Sequence, residues 1–135
     1  MSYRVLIVDD SSVVRSMVRK AIGMAGLEVS EVHEAGNGLE ALQKLKDNWV
    51  DIVFTDLHMP VMSGMELVQS MARDGVLATT PVVVVSSDPS ETRAEDLKRL
   101  GIRAYLKKPF RPEGFRAVLD EVLHAGKPEE VSRGR

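Results

Sequence analysis

Apolar positions along this chain follow two periods in turn. Five short runs rich in β-branched residues read as strands: Val5-Leu6-Ile7-Val8, Val29 to Ala35, Ile52-Val53-Phe54, Val82 to Val85, and Ala104-Tyr105-Leu106. Three of them are nearly continuous, the pattern of parallel strands buried on both faces. The second alternates polar and apolar residues, which suits a more exposed or edge strand.

Helical spacing fills the intervals. Val13, Val14, Met17, Val18, Ala21 and Ile22 repeat at helical period. Asn37-Gly-Leu-Glu40 and Ser63-Gly-Met-Glu66 are start signals before apolar stretches. Asp88-Pro89-Ser-Glu91 offers an N-cap, a proline at the first helical position and an acid at the third. Pro112 opens a last helix through Phe115, Val118, Leu119 and Val122.

Strand and helix therefore alternate five times, with crossovers long enough for one helix each. The expected fold is α/β: an open, doubly wound, five-stranded parallel sheet with helices on both faces. A closed eight-stranded barrel needs a chain nearly twice as long. The sequence has 135 residues, 44% hydrophobic and 28% charged, the composition of a globular domain. One domain over 1–124 is expected, with 125–135 (AGKPEEVSRGR) a polar tail.

Net charge is −2, which gives no electrostatic case for nucleic acid as a partner. The absence of cysteine excludes disulfides, thiolate metal sites and a cysteine nucleophile. No apolar run approaches the ~18 residues of a membrane span, and the first stops at two aspartates, unlike a signal peptide. A cytoplasmic location with no membrane partner is expected.

Such sheets bind ligands at the carboxyl ends of their strands. Asp9-Asp10-Ser11-Ser12 follows the first strand, Asp56 ends the third, Ser86-Ser87-Asp88 ends the fourth, and Lys107-Lys108-Pro109 ends the fifth. Three carboxylates, a hydroxyl and an ammonium thus meet on one edge. Packed carboxylates repel, and an oxygen-only donor set with few protein ligands suits Mg²⁺. That ion can bridge a carboxylate and a phosphoryl oxygen. The edge reads as a place to put phosphate on an aspartate or to take it off.

These residues, in this order, make the sequence resemble a response-regulator receiver domain of the single-domain chemotaxis type. The resemblance runs from Tyr3 to about His124. It rests on Asp9-Asp10, on Asp56-Leu-His-Met-Pro60 with Gly64 beyond, on Ser86 30 residues after Asp56, and on Tyr105-Leu-Lys-Lys108-Pro109-Phe110, with Lys108 22 residues after Ser86. It implies a flavodoxin-like strand order of 2-1-3-4-5. It implies that Asp56 is the phosphoacceptor and modified residue, and that Asp9, Asp10, Asp56 and the backbone carbonyl of His58 hold Mg²⁺. Ser86 becomes the switch hydroxyl, Tyr105 the aromatic switch and Lys108 the conserved-type lysine of the site. Ser86 stands where threonine is commoner, and His58 occupies a variable position beside the phosphate.

The implied function is a two-component switch. A sensor histidine kinase or a His-phosphotransfer protein donates the phosphoryl group, and a downstream protein reads the result. The protein then catalyses only its own modification and hydrolysis. A Mg²⁺-dependent aspartyl-phosphate phosphohydrolase is the alternative, but such enzymes place Asp-x-Asp after the first strand. A flavodoxin-like cofactor binder should offer small neutral residues there.

Plainer readings apply to several positions. Asp9-Asp10 can cap the first helix. Ser87 competes with Ser86, and the spacing favours Ser86; Lys107 competes with Lys108, but strand alternation lets only one of the two lysines face the site, and the family match lies at Lys108. The His58 side chain can be a rim residue or can tune hydrolysis. His33 and His124 read as surface residues, and Met59 and Met62 as packing.

The Lys108–Pro109 bond is expected to be cis. Trp49 should lie at the far end of the sheet, about 20 Å from the cleft. The output face should comprise the fourth helix, the fifth strand and the last helix. Arg93, Lys98, Arg99, Arg103 and Lys107 cluster near it, which suits an acidic partner. A monomer is expected, with dimerisation on activation as the rival.

Overall fold

The computed structural model describes residues 2–124. The tail 125–135 and the side chain of His124 lie outside the described residues. Ten elements alternate in the predicted order: β1 Tyr3–Val8, α1 Ser12–Met24, β2 Val29–Ala35, α2 Gly38–Asp47, β3 Ile52–Thr55, α3 Gly64–Arg73, β4 Val82–Ser86, α4 Glu91–Leu100, β5 Ala104–Lys107 and α5 Pro112–His124. The strands form one parallel sheet in the order β2-β1-β3-β4-β5. The alternating second run is an edge strand, and the continuous runs are central.

Strand alternation sorts the core into two layers. Val5, Ile7, Ile52, Phe54, Val83 and Val85 point toward α1 and α5, where Phe54 stacks on Phe115 with centroids 5.4 Å apart. Leu6, Val8, Val53, Val82 and Val84 point to the other side, against Ala41, Leu67, Val68, Met71 and Leu97 of α2, α3 and α4. Both faces are covered, so a continuous apolar run is what these strands require.

Local signals mostly place the helix starts. Ser63 and Glu66 form the full reciprocal capping box of α3. Asn37 caps α2, but the Glu40 carboxylate accepts from the N–H of Gly36, not from that of Asn37. Ser11, and neither aspartate, caps α1 by accepting from the N–H of Val14. The Asp88-Pro89 signal misplaces the start of α4. Ser90 is its N-cap, because the Asp88 side chain is drawn into tertiary contacts. The apolar repeat of α1 also overstates its buried stripe: Val18, Ala21 and Ile22 are buried, whereas Val13 and Met17 are exposed. No helix among the described residues is long and apolar enough to cross a membrane.

Candidate functional site

Strand order reverses between β1 and β3, because β2 lies on one side of β1 and β3 on the other. The crevice beyond their carboxyl ends is where such a sheet binds ligands. Asp9 and Asp56 stand there, one residue past β1 and β3. The Asp56 N–H donates to the Val8 carbonyl at 3.0 Å, and the Asp9 N–H to that of Ala35 at 3.0 Å. The sheet ladder thus continues one step and fixes both aspartates.

The β3–α3 loop closes tightly over this point. The N–H of Gly64 donates to the Leu57 carbonyl at 2.8 Å, and a Cβ at Gly64 would overlap the Asp56 carbonyl. Glycine is required there by close approach of backbone, not by a special dihedral. In the same loop Val61 takes a φ of 68°, a left-handed conformation rare for a β-branched residue. Nothing in the sequence announces it.

Asp9, Asp10 and Asp56 each offer a carboxylate oxygen, and these lie within 4.8 Å of one another among the described residues. Asp9 is buried, Asp56 half-buried and Asp10 exposed. Lys108 reaches in from the end of β5. Its Nζ lies 3.1 Å from Asp9 Oδ2 and 3.3 Å from Asp56 Oδ2. Asp56 Oδ1 accepts from the Leu57 N–H at 2.7 Å, and Asp9 Oδ1 from that of Ser11 at 2.9 Å. Burial pushes the Asp9 carboxyl above its ordinary range, and the Asp56 charge adds to this; the Ser11 N–H and Lys108 pull it back without cancelling it. One ammonium is shared by a group of three carboxylates. That donor set is hard, all-oxygen and short of positive charge, and it fits Mg²⁺ with waters completing the shell.

The paired candidates differ in their surroundings. Ser86 is buried and Ser87 exposed; Lys108 faces the carboxylates while Lys107 is exposed. The Lys108–Pro109 peptide bond is cis, as expected. Trp49 precedes β3, at the opposite end from Asp56. The residue is 70% exposed, and its indole N–H donates to Asp51. His33 is partly buried rather than fully at the surface, and pairs with Glu31. Met59 packs against the core. Met62 packs against Gly38 at the start of α2.

Sequence reasoning treated Asp88 as a helix cap and missed its place here. It is buried, and its Oδ2 lies 2.6 Å from His58 Nε2 and 2.5 Å from Arg93 Nη1. Its Oδ1 accepts from the Ser90 N–H at 2.8 Å. Its own N–H donates to Ser86 Oγ at 3.1 Å, and its carbonyl accepts from the Tyr105 hydroxyl at 3.1 Å. The Ser90 N–H, then His58 and Arg93, hold its carboxyl below the usual aspartate range, against the effect of burial. Burial raises the Tyr105 phenol above its usual value. The only available signal was a polar residue two positions beyond the fourth strand.

The basic face changes in the same way. Arg93 serves Asp88, and Arg99 pairs with Asp96 at 2.6 Å, so two of the five basic side chains are already matched. Below Asp9 and Asp56 the interior leaves only about 10 Å³, bordered by Val18, Phe54 and Val85. Beside Lys108 lies a shallow apolar groove of about 250 Å³ lined by Val14, Met17, Ser87, Pro109 and Phe110. The edge can receive a small charged group but does not enclose an organic substrate.

Residues 5–120 match the family model described as the response regulator receiver domain. Chemotaxis protein CheY1 of Helicobacter pylori is 31% identical over 121 residues, which covers 89% of this chain and 96% of that protein. Chemotaxis protein CheY-3 of Vibrio cholerae is 31% identical over 120 residues, 89% of this chain and 91% of its own. The solved structure of chemotaxis response regulator CheY4 of Vibrio cholerae aligns with a TM-score of 0.77 at 34% identity, over 90% of this chain and 99% of the other.

Proposed function

We propose, from the premise that this chain belongs to the response regulator receiver domain family, that it is a cytoplasmic phosphoacceptor switch carried by residues 1–124. A sensor histidine kinase or a His-phosphotransfer protein is the donor, Asp56 the acceptor, and a downstream protein the reader. The observation that carries this reading is the convergence of Lys108 Nζ on Asp9 and Asp56, within the group of carboxylates at the strand ends.

An Asp56 carboxylate oxygen attacks the phosphorus of the donor's phosphohistidine. An O–P bond forms, the N–P bond breaks, and the imidazole nitrogen leaves with the electron pair. Lys108 offsets charge on the phosphoryl oxygens and Ser86 can donate a hydrogen bond to one of them. Asp9, Asp10, Asp56 and the His58 backbone carbonyl would hold Mg²⁺. When bound, that ion supplies charge neutralisation between the carboxylates and the phosphoryl group. The shallow edge suits this chemistry, since the donor protein presents the group. Exposed Val13 and Met17, beside the groove at Pro109 and Phe110, give such a donor an apolar rim.

Hydrolysis of the acyl phosphate returns the protein to its starting state, so no outside substrate is turned over. Incubation with acetyl phosphate and Mg²⁺ should add about 80 Da as a labile adduct. The adduct should be absent in Asp56→Asn and absent with EDTA. Steady release of phosphate from monoesters would instead favour a phosphohydrolase.

A further inference from the structure

Ser86 and Tyr105 touch the Asp88 backbone, whereas the Asp88 side chain joins two parts of the molecule that those residues do not. His58 belongs to the β3–α3 loop, two residues beyond Asp56. Arg93 belongs to the first turns of α4. Both donate to the same oxygen, Asp88 Oδ2. An ionised carboxylate only accepts, so His58 carries its proton on Nε2. The side chains of His58 and Arg93 are 67% and 43% exposed, while that of Asp88 is 4% exposed. The two donors can swing, and the acceptor is fixed.

We infer that Asp88 is a positioning residue that competes with the phosphoryl group for His58, and so couples the phosphoacceptor loop to α4 by a route parallel to Ser86 and Tyr105. This rests on the reading of Asp56 as phosphoacceptor. In the unmodified protein the His58 N–H faces one anion, Asp88. A phosphoryl group on Asp56 puts a second, more highly charged anion on the same short loop. One N–H cannot serve both at full strength. As His58 turns away, a buried carboxylate is left leaning on Arg93 and the Ser90 N–H, both at the start of α4. The modification is then felt at that helix through the side chain of Asp88.

The geometry predicts opposite signs for two substitutions within one cluster. Asp88→Asn removes the competing charge, so beryllofluoride with Mg²⁺, used as the phosphoryl mimic, should bind about three- to tenfold more tightly. Asparagine keeps an oxygen for the Ser90 N–H. Arg93→Ala leaves Asp88 to hold His58 alone, so the same mimic should bind about threefold more weakly, and Arg93→Lys should restore most of the loss. The His58 ring ¹⁵N signals give a second readout. Beryllofluoride should shift Nε2 in the parent, and Asp88→Asn should show part of that shift before any addition.

Calorimetric titration of the parent and these three variants decides the matter. Weaker binding in both Asp88→Asn and Arg93→Ala would mean that the cluster only holds the loop together, and overturns the inference. Unchanged binding in both overturns it as well. If Asp88→Asn fails to fold, Arg93→Ala carries the test through the His58 ring signals: beryllofluoride should shift Nε2 less than in the parent, and a shift as large as the parent's would overturn the inference. Binding to Asp56→Asn as tight as to the parent would instead sink the phosphoacceptor reading.

Discussion

Asp9 and Asp88 are buried carboxylates on the same edge of one sheet, and their surroundings push them in opposite directions. Around Asp9 burial dominates, like charges stand beside it, and its single ammonium is shared with Asp56. Around Asp88 three donors are supplied by the chain itself, and they outweigh burial. A carboxylate with enough donors in the fold is complete and acts as structure. One with too few is complete only when a cation arrives, and can act as a site.

The largest effect that tests this contrast is the response to metal. Mg²⁺ at a hundred times its dissociation constant should stabilise the parent by about 2.7 kcal/mol. Asp9→Asn should lose most of that gain, while Asp88→Asn should keep it. Thermal melts with and without Mg²⁺ measure both, and equal gains in the two variants would erase the distinction.

A smaller effect lies in acid. A carboxyl raised in the fold costs stability as pH rises through its folded value, whereas one lowered in the fold costs stability as pH falls through its folded value. Metal-free Asp9→Asn should therefore melt above the parent at neutral pH. That margin should shrink as pH falls through the raised Asp9 value and vanish below about 4, near the unfolded value. Asp88→Asn should melt below the parent at neutral pH, and its deficit should close as pH falls from about 4 through the lowered Asp88 value. Melting curves between neutrality and strong acid should thus show deviations of opposite sign.

The smallest effect compares two arginines of α4. Arg99 pairs with Asp96 where both side chains are more than half exposed. Arg99→Ala should cost about 0.5 kcal/mol or less in urea unfolding. Arg93→Ala should cost more, because its carboxylate partner is buried. Equal costs would show that the Asp88 cluster is no better built than a surface pair.

The Asp9 side of this contrast was legible in the sequence and the Asp88 side was not. Asp9, Asp10, Asp56 and Lys108 each follow an apolar run, and runs of that kind mark strand ends. The Ser63–Glu66 box marks a helix start within four residues. Such signals are local. Asp88 sits among Asp88, Pro89 and Ser90, which offer two caps in three positions. The contest is settled by His58, 30 residues away, and by Tyr105, 17 residues away. Val61 was unreadable for a different reason, since valine is the wrong residue to advertise a left-handed backbone. Exposure of Val13 and Met17 escaped because an apolar repeat does not say how wide a stripe its neighbours cover.

The contact of Lys108 with Asp9 spans 99 residues of sequence. Closing such a loop costs entropy that grows only slowly with its length, and docking of β5 on the sheet offsets it. A chain still emerging from the ribosome can pair β1 with β2 and β3 and bring its aspartates together, yet it has no ammonium between them until β5 has docked against β4. On the reading of Asp56 as phosphoacceptor, competence to accept a phosphoryl group therefore waits for β5, and a protein truncated before β5 would carry the carboxylates without the ammonium between them.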